Sequence, residues 1–137
     1  VALEGGWAAF RDELWRQSGM TPQQMDLVQL YDDYPIMELI QFEDLGFAEK
    51  GQGAEFVRKT DLSIGGDLPL NTGGGQLSAG QCGAGGAMIG VVEAVRQLQG
   101  EAEGRQVQGA SIALVSGYGM VSYGRGLSSS AMILTND

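Results

Sequence analysis

Tyr31, Asp32, Asp33 and Tyr34 form one uninterrupted run, two carboxylates flanked by two phenols. A phenol beside fixed charges can act as an acid or a base if its pKa moves from about 10. The bland use of the same run is structural: Asp32 or Asp33 caps a helix opened by Pro35 while the tyrosines pack. A second segment, Asn71 to Gly86, is rich in glycine and enters an apolar stretch. Backbone N–H groups and the positive end of a following helix suit it to stabilising an oxyanion. It is not a phosphate loop, because no Gly-Lys-Ser/Thr follows. Nor is it a dinucleotide loop, because Met88 stands sixth from Gly83 where Gly or Ala is needed. Cys82 in this segment is read first as a small buried residue, and second as a thiol with a lowered pKa. Gly117-Tyr118-Gly119 is a third candidate, either a close approach of backbone to a ligand or a turn.

Composition removes several alternatives. The chain has no histidine, so Ser-His-Asp and Cys-His catalysis cannot be assembled within it, and the commonest metal ligand is missing. No metal site is expected. Seventeen acids against 8 bases give a net charge of −9, which disfavours binding to nucleic acid. A single cysteine excludes an internal disulfide and fits a reducing cytoplasm, the expected location. No apolar run approaches the roughly 20 residues of a membrane span. Val1-Ala2-Leu3-Glu4 shows no basic-then-apolar leader and no initiator Met, so the chain reads as a fragment or processed product.

The elements that must position these groups follow from periodicity. Leu3, Trp7, Phe10 and Leu14 predict a helix over 3–18, stopped by Gly19. Thr21-Pro22-Gln23-Gln24 predicts a single capped turn. A strand is expected over Asp26 to Tyr31, a helix from Pro35 to Gly46, and a short helix over Gly53 to Lys59. Residues 62–92 carry ten glycines and one charge, Asp67, yet are too apolar for a linker. Residues 86–99 are the best candidate for a buried helix, through Met88, Ile89, Val91, Val92, Val95 and Leu98. Strands are expected over Ser111 to Ser116 and Ser130 to Thr135, joined by a Gly- and Tyr-containing connection. The fold class is α/β.

Three stretches together resemble the sterol-carrier-type thiolases: Leu30-Tyr31-Asp32-Asp33-Tyr34, Glu43-Asp44-Leu45-Gly46-Phe47, and Leu68-Pro69-Leu70-Asn71-Thr72-Gly73-Gly74-Gly75. That family carries His-Asp-Cys-Phe, Leu-Gly-Phe-Cys and Pro-Val-Asn-Thr-Ser-Gly-Gly at these places. Val92-Glu93-Ala94-Val95-Arg96-Gln97-Leu98 adds to the likeness, which covers nearly all of residues 20–137. The resemblance implies the C-terminal half of the thiolase fold: a mixed sheet with flanking helices and a buried central helix. Residues 1–137 would then form one thiolase-like C-terminal domain, lacking its first strand and the whole N-terminal half.

The departures from the family pattern carry the functional expectation. Gly80-Gln81-Cys82 lies where the family has Gly-His-Pro, so Gln81 replaces a histidine, and Tyr31 replaces another. Val115 and Ser116 stand near the place of the second reactive cysteine. Gln81 can donate a hydrogen bond but cannot take up a proton, so ordinary thiolysis is not expected. A tyrosine at the first position resembles the thiolase-like steroid side-chain aldolases, which cleave β-hydroxyacyl-CoA by retro-aldol reaction and use tyrosines as acid–base groups. This implies a C–C lyase with coenzyme A thioester as substrate and no covalently bound cofactor. Tyr31, Asp32 and Gln81 are the implied catalytic residues, and Tyr34, Asn71, Ser78, Gly83 and Tyr118 the substrate-binding ones. The implied partners are the N-terminal thiolase half, a second copy in a homodimer, and an OB-fold acyl-CoA-associated protein. Two rivals stand beside this: an acyltransferase using a cysteine from the missing half, and a non-catalytic acyl-CoA-binding or scaffold subunit.

Overall fold

The computed structural model describes residues 4–122 and 125–136. Alternation sorts the short first strand, β1 (Leu27–Gln29), between two cores. Val28 belongs to a cluster with Trp7, Met25, Leu30, Phe42, Leu45, Leu68 and Leu114. Leu27 belongs to another, with Ala94, Val107, Ala110, Ala113 and Val115. Side chains along a strand point alternately to opposite faces, so a strand buried on both faces feeds two layers. β1 runs parallel to β2 (Ile112–Ser122), which pairs antiparallel with β3 (Arg125–Thr135), giving a mixed sheet of order β1-β2-β3. Beyond β1 the sheet gains one parallel bridge, Val28 to Leu70. The helices α1 (Arg11–Ser18), α2 (Pro35–Asp44) and α3 (Gly53–Lys59) belong to the Trp7 side. Helix α5 (Met88–Gln99) covers the other. A short helix, α4 (Gly75–Ala79), precedes α5. The mixed α/β class expected from the sequence is the class observed.

Several boundaries differ, each for a local reason. The helix expected over 3–18 begins at Leu3, outside the described residues, and its described part splits into a 3-10 turn (Gly6–Ala9) and α1. The split lets Trp7 bury completely, stack on Tyr118 at 5.4 Å and donate its indole N–H to the Ser130 carbonyl at 3.1 Å. Gly19, at φ +67°, closes α1 as expected. The capped turn after Thr21 also forms, with both bonds of its capping box.

β1 is shorter than the predicted 26–31 because side chains take over the ladder at its ends, Asn71 and Ser116 at Leu30 and Tyr31 and the Asp26 carboxylate at Ile112 N–H. The Asp26 carboxylate accepts from the Ser111 and Ile112 N–H groups and the Ser111 hydroxyl. The last two strands are longer than predicted and form one hairpin, because Gly117 and Gly119 mask the alternation without preventing pairing. The connection between them, Tyr123 and Gly124, lies outside the described residues.

The inner face of α5 overturns the expected pattern. Glu93 and Gln97 are buried beside Ala94, while Met88 and Val92 are 56% and 53% exposed. The Glu93 carboxylate accepts from Arg105, Thr72 and Gln97, and Gln97 also donates to the Arg105 carbonyl. Burial alone would raise Glu93, yet these bonds hold it below the ordinary glutamate range. A satisfied polar network can therefore face inward, leaving the apolar stripe outside.

Candidate active site

The site grows from the end of β1, where the chain leaves the sheet and must satisfy its backbone by other means. Asn71 supplies the first replacement. Its Oδ1 accepts from Leu30 N–H at 2.8 Å, and its Nδ2 donates to the Leu30 carbonyl at 3.1 Å, so the side-chain amide continues the ladder. The position needs φ +47°, a left-handed backbone that Asn tolerates better than most residues. Nδ2 donates a second bond, to Glu38 Oε1 at 2.9 Å. Tyr31 comes next. Its N–H is shared between Ser116 Oγ and Gln41 Oε1, at 3.1 and 3.2 Å, and its carbonyl accepts from Gln41 Nε2 at 2.7 Å. The Ser116 hydroxyl in turn donates to Gln41 Oε1.

Asp32 neither caps α2 nor touches the Tyr31 hydroxyl. Its carboxylate accepts from the N–H groups of Gln76 and Leu77, at 2.7 and 3.3 Å. Gly75 makes this possible, since a Cβ there would lie 2.1 Å from the Asp32 carboxylate. Helix α2 starts after Tyr34 with Pro35 in its first turn and no side-chain cap, so the capping role expected of Asp32 or Asp33 is not used. Asp33 Oδ1 is buried and accepts no hydrogen bond among the described residues.

The Tyr31 ring is almost fully buried and lies 5.6 Å from the ring of Tyr118. Its Oη accepts from Gln81 Nε2 at 2.9 Å. An open cleft of about 750 Å³ is lined by Tyr31, Gln81, Gly83, Ala87, Gly117, Tyr118, Gly119, Ser128 and Ser130. Burial first, and then the charge of Asp33, raise the Tyr31 phenol above its ordinary range; the Gln81 bond works in the opposite direction. Neighbouring carboxylates therefore do not lower this phenol, as a base role would require; they keep it protonated. With Oη already accepting from Gln81, the phenolic hydrogen is free to be donated elsewhere.

Of the residues singled out from sequence, Tyr31, Gln81, Gly83 and Tyr118 meet in this cleft. Asp32 and Asn71 lie behind it, around a small cavity of about 10 Å³ shared with Gln29, Gln76 and Ser116. That is near the minimum space for one water, and the buried Gln76 Oε1 beside it has no partner among the described residues. Tyr34, 67% exposed, and Ser78, on the exposed side of α4, line neither space. Cys82 is exposed rather than buried, because Gly80 and Gly83 carry its segment over the surface with positive φ. The sequence reading missed Ser128 and Ser130 on the cleft, and Glu38 and Gln41 on α2. The last two stand three residues apart, a spacing that places them on one helix face.

Residues 6–136 match the thiolase C-terminal domain-like family, and the chain belongs to it. It is 40% identical over 124 residues to the 17-hydroxy-3-oxo-4-pregnene-20-carboxyl-CoA lyase of Mycobacterium tuberculosis, covering 89% of this chain and 29% of that protein. It is 37% identical over 106 residues to human sterol carrier protein 2, covering 77% of this chain and 19% of the relative. Among solved structures, the Ltp2-ChsH2(DUF35) aldolase superposes with a TM-score of 0.78 at 31% identity, over 95% of this chain and 32% of that one. The chain thus spans less than a third of the length of these relatives. No helix among the described residues is long and apolar enough to cross a membrane.

Proposed function

We propose that the protein containing this chain is a carbon–carbon lyase that cleaves a β-hydroxyacyl-CoA thioester by a retro-aldol reaction. The observation that carries this reading is the Gln81–Tyr31 hydrogen bond at the cleft wall. It takes an acceptor position on the phenol, leaves the phenolic hydrogen for a substrate atom, and presents no imidazole or thiol. In the reaction the β-hydroxyl loses its proton to a base and becomes a carbonyl. The Cα–Cβ bond breaks, and its electron pair forms the thioester enolate. Tyr31 is assigned the proton that then reaches Cα, and backbone N–H groups near Gly83 the enolate oxygen. Tyr118, the second phenol on the cleft, is assigned the β-hydroxyl. Similarity to a CoA-ester lyase and to an aldolase supports the class. A steroid acyl group is the substrate we favour, on the M. tuberculosis relative.

The rest of the cleft is assigned to a preceding thiolase half, with residues 1–137 as the C-terminal domain. The exposed Met88, Val92 and Val95 of α5 give that half an apolar surface to cover. A homodimer and an OB-fold acyl-CoA-associated partner complete the proposed assembly, which works in the cytoplasm without a covalently bound cofactor.

The test uses the complete protein with its partner and a β-hydroxyacyl-CoA, following the carbonyl product and the shortened acyl-CoA. Cleavage without added free CoA supports the lyase. Product formation that requires free CoA thiol means acyl transfer, and tight thioester binding without turnover means a scaffold.

A further inference from the structure

Helix α2 presents two polar side chains to the strand end that carries Tyr31. Gln41 bonds the Tyr31 peptide directly. Glu38, one turn earlier, does not touch Tyr31 but accepts from the Asn71 amide that grips both backbone groups of Leu30. With Oδ1 and one Nδ2 hydrogen committed to Leu30, the other Nδ2 hydrogen needs an acceptor, and Glu38 Oε1 is the one present. We propose that Glu38 is a positioning residue for the Tyr31 site, anchoring through Asn71 the strand end from which the phenol projects. The proposal rests on the lyase reading for its activity readout, but not for its structural one.

The surroundings of Glu38 give the anchor a pH dependence. The charge of Asp32 acts on it from the turn after β1, α4 contributes no charged side chain, and the α3 cations Arg58 and Lys59 pair with Glu55. No Lys or Arg pairs with Glu38 among the described residues. Burial, then the charge of Asp32, push Glu38 up to about 7, against the bond from Asn71. The neutral carboxyl is therefore the form the folded site favours. Rising pH ionises it, which strengthens the Asn71 bond itself but buries a charge and sets it against Asp32. Above neutrality that repulsion strains the turn after β1 that the anchor holds.

The experiment compares wild type, Glu38→Gln and Glu38→Ala in the complete protein, measuring kcat and KM from about pH 5.5 to about 9. Glu38→Ala is expected to lower kcat, by up to ~10²-fold, with KM little changed, as a misplaced reacting group does. Glu38→Gln keeps a neutral acceptor, so it should retain kcat near pH ~6 and lose the decline that wild type shows above pH ~7. Hydrogen exchange at the Leu30 amide gives a readout independent of turnover: faster in Glu38→Ala, unchanged in Glu38→Gln. Wild-type kcat and Leu30 protection in Glu38→Ala would overturn the proposal. So would an equal loss in both variants. If wild type itself does not cleave the thioester, the lyase reading fails, and the Leu30 exchange still decides for or against the anchor.

Discussion

The two walls around Tyr31 are built to different standards. Behind the ring, every backbone group of Leu30 and Tyr31 has a partner from Asn71, Gln41 or Ser116. In front, Gln81, Cys82 and Gly83 are exposed, and away from the cleft α5 turns Met88, Val92 and Val95 outward. Buried polar groups are costly unless paired, so the backbone of the rear wall is satisfied within this chain, with Gln76 Oε1 left unpaired among the described residues beside its small cavity. On the proposed assembly, the preceding half completes the front of the cleft and covers the apolar stripe of α5. The comparison teaches that the chain fixes where the phenol sits but not the whole space it faces.

The largest effect should come from the phenol itself. Tyr31→Phe keeps the ring against Tyr118 and removes the hydroxyl that Gln81 contacts. In the complete protein, turnover of a β-hydroxyacyl-CoA should fall by roughly 10²–10⁴-fold, the usual contribution of a positioned acid or base. Thermal stability should hardly move. Near-normal cleavage would remove Tyr31 from the chemistry and leave the rear wall a purely structural feature.

The outward stripe of α5 offers a second test of the proposed assembly. Val92→Asp places a charge on the outward stripe of α5. If the preceding half covers that stripe, the complete protein loses about 2 kcal/mol or more, from lost apolar burial and a desolvated carboxylate. In the isolated chain the same change should improve solubility, because Val92 is already in water there. Denaturant unfolding of both forms checks this; equal, small effects in the two would mean that the stripe stays uncovered.

The rear wall can be tested at its most loaded residue. Asn71→Ala strips the partner from both backbone groups of buried Leu30. Each unsatisfied buried group costs about 1–3 kcal/mol, and Ala adds strain at φ +47°, a backbone that Asn tolerates better. A net loss of roughly 2 kcal/mol or more is expected by denaturant titration. Asn71→Asp should cost less than Ala in Leu30 pairing but sets a second charge against Glu38. An unchanged midpoint for Asn71→Ala would show that the clamp is dispensable.

These contrasts also explain what was legible beforehand. The β1 core pattern, the Thr21 turn, Pro35 and Gly19 were readable because local periodicity and capping chemistry fix them. Tyr31 and Gln81 were picked out separately, by their departures from the family pattern, but nothing in a linear sequence shows that residues 50 apart share a hydrogen bond. The real job of Asp32 was hidden because its partners are backbone N–H groups in α4, a five-residue helix inside a glycine-rich run with no clear period. The orientation of α5 was misread because hydrophobic counting assigns Val92 inward and Glu93 outward. The Thr72–Glu93–Gln97–Arg105 network reverses this, and it depends on a loop contact that only tertiary structure provides. Ser128 and Ser130 escaped notice because serine in a strand gives no signal of its own; their register opposite Gly119 and Gly117 brings them to the cleft.

The smallest effect should separate the two tyrosines of the Tyr31–Tyr34 run. In sequence they are equivalent neighbours of the same carboxylates. In the fold, Tyr31 is buried and holds the cleft wall, whereas Tyr34 is 67% exposed at the start of α2 and lines neither cavity. Its role at the helix entry is through backbone: its carbonyl accepts from Met37 N–H at 2.9 Å, which any residue could provide. Tyr34→Phe removes only an exposed hydroxyl, so stability should stay within about 0.5 kcal/mol, as for most surface changes. Turnover in the complete protein should match wild type across the pH range. A loss of activity comparable to that of Tyr31→Phe would mean that the missing half brings substrate to the outer side of α2, and that the cleft beside Gln81 is not the reacting space.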